Sequence, residues 1–299
     1  MTALDSSTDR IAVIGAGKVG TAVGYLLRSA GYRIVAVADR DPAAAEKSLP
    51  YTGGAAFTLP AEAARLANII LLTPPDDEIA GLCTLLSQGG AIEKGDKVVH
   101  MSGAGGLDLL ESARRAGALV ASIHPIQSFA DIEGAIENLP GSTFGVTAEP
   151  DLAAWSEELV RILGGIPFSV SEADKPLYHA AACMASNYFT TLMHTVESIY
   201  ASFGLTREEA RQSFWPLVRG TVKNIERQGT IQALTGPIAR GDAGTIHRHL
   251  RALQEKLPQF LPLYQELGVL TVDVGLKKRT LSPERAEAIK RLLEGEIRP

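Results

Sequence analysis

The stretch that decides the fold is Arg10-Ile11-Ala12-Val13-Ile14-Gly15-Ala16-Gly17-Lys18-Val19-Gly20. Arg10 to Ile14 is an apolar run of strand length, stopped by a glycine-rich turn that opens a helix reaching about Ala30. In the spacing Gly-x-Gly-x-x-Gly, Gly15 permits the tight turn. Gly17 lets backbone approach a pyrophosphate, and Gly20 lets helix and strand pack closely. The helix start then offers unpaired N–H groups and a positive dipole end to phosphate oxygens. Gly15, Ala16, Gly17, Lys18, Val19 and Gly20 are therefore candidate dinucleotide contacts.

Working outward, Arg33 to Ala38 reads as a second strand ending at Asp39, 19 residues beyond Gly20. A carboxylate there accepts hydrogen bonds from the adenine ribose and repels a 2′-phosphate, which leans the reading toward NAD. Arg40 follows directly and suits adenine or that phosphate, so NAD and NADP both stay open. Further strands are expected at Ala55 to Phe57, Asn68 to Thr73, Lys97 to Met101, Leu119 to His124, Thr143 to Thr147 and Ile166 to Val170. Near-continuous Val/Ile/Leu runs are what strands buried on both faces look like, and strand–helix alternation implies a doubly wound parallel sheet.

From about Ala173 the pattern turns helical. One long helix is expected from Lys175 to about Phe203. Others are expected at about Arg207 to Gln228, Gly244 to Leu257, Pro258 to Leu267 and Pro283 to Leu293. Gly204, Gly229, Gly241 and Gly268 punctuate them as C-terminal caps, and Thr206 with Glu209 has capping-box spacing. The expected architecture is α/β, a doubly wound domain over 1–172 followed by an all-α domain over 173–299.

The 299 residues carry 29 Lys+Arg against 34 Asp+Glu, a net charge of −5, with no long basic stretch that would point to nucleic acid. Cys83 and Cys183 have no metal-ligand spacing, and six unclustered histidines argue against a metal enzyme. Met1 to Arg10 is polar, without the apolar run of a signal peptide, and no apolar stretch reaches the ~18 residues of a membrane span. A cytoplasmic protein is expected.

Several strand ends carry polar groups. Thr73-Pro74-Pro75-Asp76 should face a bound ribose and nicotinamide, because ligands sit outside the carboxyl ends of strands in such folds. Ser102 and Gly103 follow the next strand, where small residues allow close approach of a ring and Ser102 can bond a substrate carbonyl. His100 there is more readily a locally satisfied strand residue. His124, fixed by Pro125 and near Gln127 and Ser128, is a candidate acid. Lys175 opens the long helix with Pro176 in its first turn. His179, Cys183, Ser186, Asn187 and Thr190 continue along it. Polar groups on so apolar a helix need partners, either a substrate or neighbouring helices. Thr235-Gly236-Pro237 is a turn that either lines a ligand or merely joins helices.

Taken together, these segments resemble the Rossmann-like proteins that carry a C-terminal helical domain of unknown function, a group akin to deazaflavin-dependent NADP reductases. The same residues are similar, more distantly, to 6-phosphogluconate and 3-hydroxyisobutyrate dehydrogenases, pyrroline-5-carboxylate reductase and ketopantoate reductase. The resemblance implies an NAD(P)-dependent oxidoreductase that transfers hydride to a small 2-oxo acid or related carbonyl, with ketopantoate as first candidate. It implies NADP where Asp39 leans to NAD. It matches Lys175 to the family's proton-donating lysine, but His179 stands where the family has an asparagine, and Asn187 lies farther on. Lys175 and His179 thus share the expected role of acid, with Ser102, His124 and Asn187 orienting the substrate. The alternatives are a cyclic imine reductase and a non-catalytic dinucleotide sensor. Helical second domains of this kind pair across subunits, so a homodimer is expected.

Overall fold

The computed structural model describes residues 7–295, so the first six residues of the polar N-terminal stretch lie outside the described residues. Eight strands form one sheet: β1 (Arg10–Ile14), β2 (Arg33–Ala38), β3 (Ala55–Phe57), β4 (Ile69–Leu72), β5 (Lys97–His100), β6 (Leu119–Pro125), β7 (Thr143–Ala148) and β8 (Ile166–Ser169). Their order is β3-β2-β1-β4-β5-β6-β7-β8. The chain winds outward from β1 to β3, then crosses back to β4 on the other side of β1. That reversal leaves a crevice outside the carboxyl ends of β1 and β4, where doubly wound sheets bind ligands.

Register fixes what borders the crevice. Ile14 is level with Ala38 and with Leu72, Leu72 with His100, and His100 with Ser122. The residues that follow these positions, from Gly15 round to Ser102, therefore emerge on one edge. The frame beneath is rigid because the central strands are buried on both faces: all four residues of β4 are 0% exposed. Ile11, Val13, Ile69 and Leu71 pack into one core layer, and Ala12, Ile14, Ile70 and Leu72 into the other. Each buried Ile or Leu contributes about 1.5–3 kcal/mol of transfer free energy.

The sheet departs from the expected parallel pattern at one place. β7 runs antiparallel to β6, and β8 runs parallel to β7. The helix in the connection from β6 to β7, Ile132–Asn138, has seven residues and its N-cap Asp131 accepts the Gly134 N–H. The antiparallel register sets Gly145 of β7 opposite His124 of β6.

The chain divides into two compact units, residues 1–187 and 188–299. The change of sequence pattern near residue 172 falls earlier, because the helix Lys175–Cys183 sends its polar side chains onto the sheet rather than away from it. A π turn, Met184–Tyr188, separates that helix from Phe189–Ala201, so the expected single helix is interrupted. Beyond it, the Thr206–Glu209 capping box forms, and Gly229 (φ 77°) kinks the run Arg207–Ala233. Gly268 is no cap. It lies inside Leu261–Lys278, where a Cβ would stand 2.7 Å from the side chain of Leu293, so the missing side chain serves helix packing instead. Among the described residues no helix is long and apolar enough to cross a membrane, and no metal-binding cluster occurs.

Candidate active site

At the end of β1 the glycines meet steric demands that only glycine satisfies. Gly15 has φ +112°, and a Cβ there would stand 2.5 Å from the Thr73 carbonyl carbon. A Cβ on Gly20 would strike the Gly15 carbonyl oxygen, whereas one on Gly17 would meet open space. The helix α1 (Lys18–Ser29) starts on Gly17 with no side-chain cap and no acidic residue in its first turn. Its leading N–H groups thus face a cleft of about 480 Å³ lined by Gly15, Gly17, Asp39, Arg40, Thr73 and Pro75 among others. An uncapped, unopposed helix start beside glycine backbone fits a pyrophosphate. Thr73 ties the two turns together, its hydroxyl donating to the Gly15 carbonyl at 2.7 Å. Pro74 and Pro75 form the adjoining wall, Lys18 is exposed, and Val19 packs partly against the core.

At the end of β2 both polar side chains hold partners within the protein. Asp39 accepts the Ala16 N–H on one oxygen (2.8 Å) and the Asp41 N–H on the other (2.9 Å). Its carboxylate clasps the glycine-rich turn to the end of β2. Arg40 lies exposed beside it, its Nη1 donating to Glu78 Oε1 at 2.6 Å.

Beyond Thr73 the polar strand ends converge. The Ser102 hydroxyl donates to Asp76 Oδ2 (2.7 Å) and accepts the Gly105 N–H (2.9 Å). Lys175 is 1% exposed, and its ammonium donates to Ser122 Oγ (2.7 Å) and to the Ser102 carbonyl (3.3 Å). Two of three ammonium hydrogens are thereby used. No carboxylate lies within ion-pair distance of it among the described salt bridges. One turn on, Tyr178 OH bonds His124 Nδ1 at 2.8 Å, and the His124 and His179 rings meet edge to face at 5.5 Å. Gly103 sits beneath both rings, since a Cβ there would strike His179 Nδ1 and lie 2.8 Å from His124 Nε2. His179 Nε2 is 3.6 Å from Cys183 Sγ, while its Nδ1 is buried without a hydrogen-bond partner. Lys175, His179, His124, Ser102 and Gly103 are thus brought together. Asn187 lies at an exposed position within the π turn. Thr235 and Pro237 belong to the second unit, where they line an apolar cavity of about 430 Å³.

Sequence reasoning passed over Tyr178, Asp76 as a partner of Ser102, and Ser122. Gly145 was the available signal for Tyr178. A glycine inside a strand marks close approach, and a Cβ on Gly145 would collide with the Tyr178 hydroxyl. His100 proves structural: it is 0% exposed, with Nε2 on the Gly106 carbonyl (3.0 Å) and Nδ1 accepting the Ser102 N–H (3.1 Å).

Burial controls the protonation of this cluster. It lowers the Lys175 ammonium from 10.5 to about 8, against the opposing pull of Asp76 and Glu172. It lowers His100 to about 4. It does the same to His124, helped by His179 and Lys175, and it raises Tyr178 to about 12. At neutral pH, Lys175 is therefore charged, while His100, His124 and Tyr178 are neutral. This has a measurable consequence. The unfolded chain takes protons on these histidines near pH 6.5, the folded chain only near 4, so their burial costs nothing above pH 6.5 and destabilises increasingly below it. Stability should fall by on the order of 2 kcal/mol per histidine between pH 7 and 5. Urea midpoints across that range check this, and His124→Gln should flatten the slope.

Comparison with known proteins places this geometry. Residues 2–125 match the model of a Rossmann-like domain, and residues 142–271 that of a domain of unknown function, DUF2520. The chain is a Rossmann-like protein with a DUF2520 domain. A search of curated proteins gave no match. Solved structures do match. A Bacteroides fragilis protein named as an NADP oxidoreductase superposes with a TM-score of 0.73 at 21% identity, covering 90% of this chain and 100% of that one. A Thermotoga maritima protein gives 0.72 at 25% identity, covering 90% and 99%. A pyrroline-5-carboxylate reductase from Coxiella burnetii gives 0.56 at 17% identity, covering 98% and 100%.

Proposed function

We propose that this chain is an NADP(H)-dependent reductase of a small carbonyl compound, with 2-oxo acids such as ketopantoate as first candidates. The observation that carries the reading is Lys175, a buried ammonium without a carboxylate partner and with an N–H to spare. A buried cation is costly unless an anion meets it, and carbonyl reduction develops an alkoxide. The glycine cradle and the named activity of the Bacteroides fragilis structure support the cofactor assignment. Asp39 holds a backbone N–H on each oxygen, and the exposed Arg40 beside it suits the 2′-phosphate of NADP.

The bound nicotinamide would supply hydride to the substrate carbon. The protein's own groups do the rest. Lys175, mostly protonated below pH 8, carries the proton for the developing alkoxide or stabilises its charge. His179 is the other candidate donor and shares the site with His124. The Tyr178 hydroxyl holds the His124 ring in place. Asp76 fixes the Ser102 hydroxyl, and the bare Gly103 leaves room for the His179 and His124 rings.

Titration with NADPH and NADH by fluorescence, then mixing with ketopantoate or a cyclic imine while following NADPH absorbance, tests the proposal. Consumption with the 2-oxo acid supports it. Consumption with the imine alone transfers it to the second reading, C=N reduction. The neutral His124 and the nearby Asp76 carboxylate favour that reading, because an iminium arrives with its own proton. Tight binding without any consumption would make the protein a sensor.

A homodimer also belongs to this proposal. The helical unit exposes Phe203, Leu217, Leu263 and Leu270 at 39–71%, more apolar surface than a lone domain keeps bare. Sedimentation equilibrium should return twice the 31.7 kDa chain mass, and a monomer at micromolar concentration would contradict it.

A further inference from the structure

We infer that Glu78 is a specificity-determining residue of the dinucleotide cleft, competing with the 2′-phosphate of NADP(H) for the Arg40 guanidinium. The inference rests on the dinucleotide reading and deepens it. Arg40 and Glu78 line the same cleft as Gly15, Gly17 and Asp39, yet they come from different strand ends 38 residues apart. Arg40 is held by Nη1 alone, at 2.6 Å, with its side chain 78% exposed. The remaining guanidinium edge is free to take a phosphate in the two-bond manner that arginine favours. Asp39, turned onto the Ala16 and Asp41 amides, leaves Arg40 as the group at this end that can answer a phosphate. Glu78 stands opposite, neutralising Arg40 when no phosphate is present and repelling a phosphate when one arrives. An exposed ion pair of this kind is weak enough to exchange partners.

Glu78 also shares the short turn Asp76–Glu78 with Asp76, which holds Ser102 at the reacting end. One turn thus touches both ends of the cofactor site, and the substitution must be read at the adenosine end alone.

The probes are 2′,5′-ADP and 5′-AMP, which differ by the 2′-phosphate, titrated calorimetrically into the full chain. Glu78→Gln should tighten 2′,5′-ADP by about two- to five-fold and leave 5′-AMP unchanged. Arg40→Gln should remove the advantage of 2′,5′-ADP, and the double variant should match Arg40→Gln. Unchanged or weaker 2′,5′-ADP binding by Glu78→Gln overturns the inference, as does an equal change for both probes, because Glu78 would then be structural. Binding of 5′-AMP with no advantage for 2′,5′-ADP in any variant also overturns it while sparing the dinucleotide reading. Binding of neither probe overturns both. Matched thermal midpoints establish that the variants are folded.

Discussion

Lys175→Met is expected to lower kcat/KM for ketopantoate reduction by about 10²- to 10⁴-fold, the usual span for a lost proton donor. NADPH binding should be unchanged, because the glycine cradle follows a different strand and shares no bond with this ammonium. The fold should persist. Methionine replaces a buried charge with an apolar chain of similar length, which is often neutral or stabilising. The pH profile separates chemistry from structure. Wild-type turnover should decline above pH 8, where Lys175 gives up its proton, and the residual turnover of the variant should lack that limb. If Lys175→Met keeps full turnover and His179→Ala loses it, His179 is the donor and Lys175 only braces Ser102 and Ser122. Steady-state kinetics on both variants across pH 6–10 decide between them.

Gly15→Ala is expected to destabilise the protein by about 2 to 4 kcal/mol and to abolish dinucleotide binding. Two costs add. The backbone at φ +112° is one that a side chain resists, and the new methyl would lie 2.5 Å from the Thr73 carbonyl carbon and 2.6 Å from its oxygen. Relief requires moving the Thr73–Pro75 turn, which forms a wall of the same cleft. Gly17→Ala is the contrast: its methyl meets open space in the absence of ligand, so stability should hold while binding of the pyrophosphate suffers. Thermal midpoints and NADPH titrations of the two variants read both effects.

Much of this was legible because each element carried local signals that agreed. The glycine spacing, the acidic end of β2 and the continuous apolar runs marked the central strands, since residues buried on both faces exclude polar interruptions. What the sequence hid were relations across strands. The reversal of β7 is a matter of strand direction, which apolar periodicity does not report, since a parallel and an antiparallel strand carry the same run. Asp39 was legible by its position at the end of β2, but its bonds to the Ala16 and Asp41 amides were not, because they depend on how the two turns meet. Lys175 was found as a helix-opening lysine. Its burial against Ser122 was not foreseeable, because Ser122 is a small strand residue with no motif around it.

The most direct test of carbonyl reduction is to incubate the protein with ketopantoate and NADPH deuterated on the transferable face of C4, then locate the label by mass spectrometry. The account predicts one deuterium on the new carbinol carbon of the hydroxy acid, with equal loss of NADPH absorbance. Bound but unconsumed NADPH, with no label in any product, would contradict it.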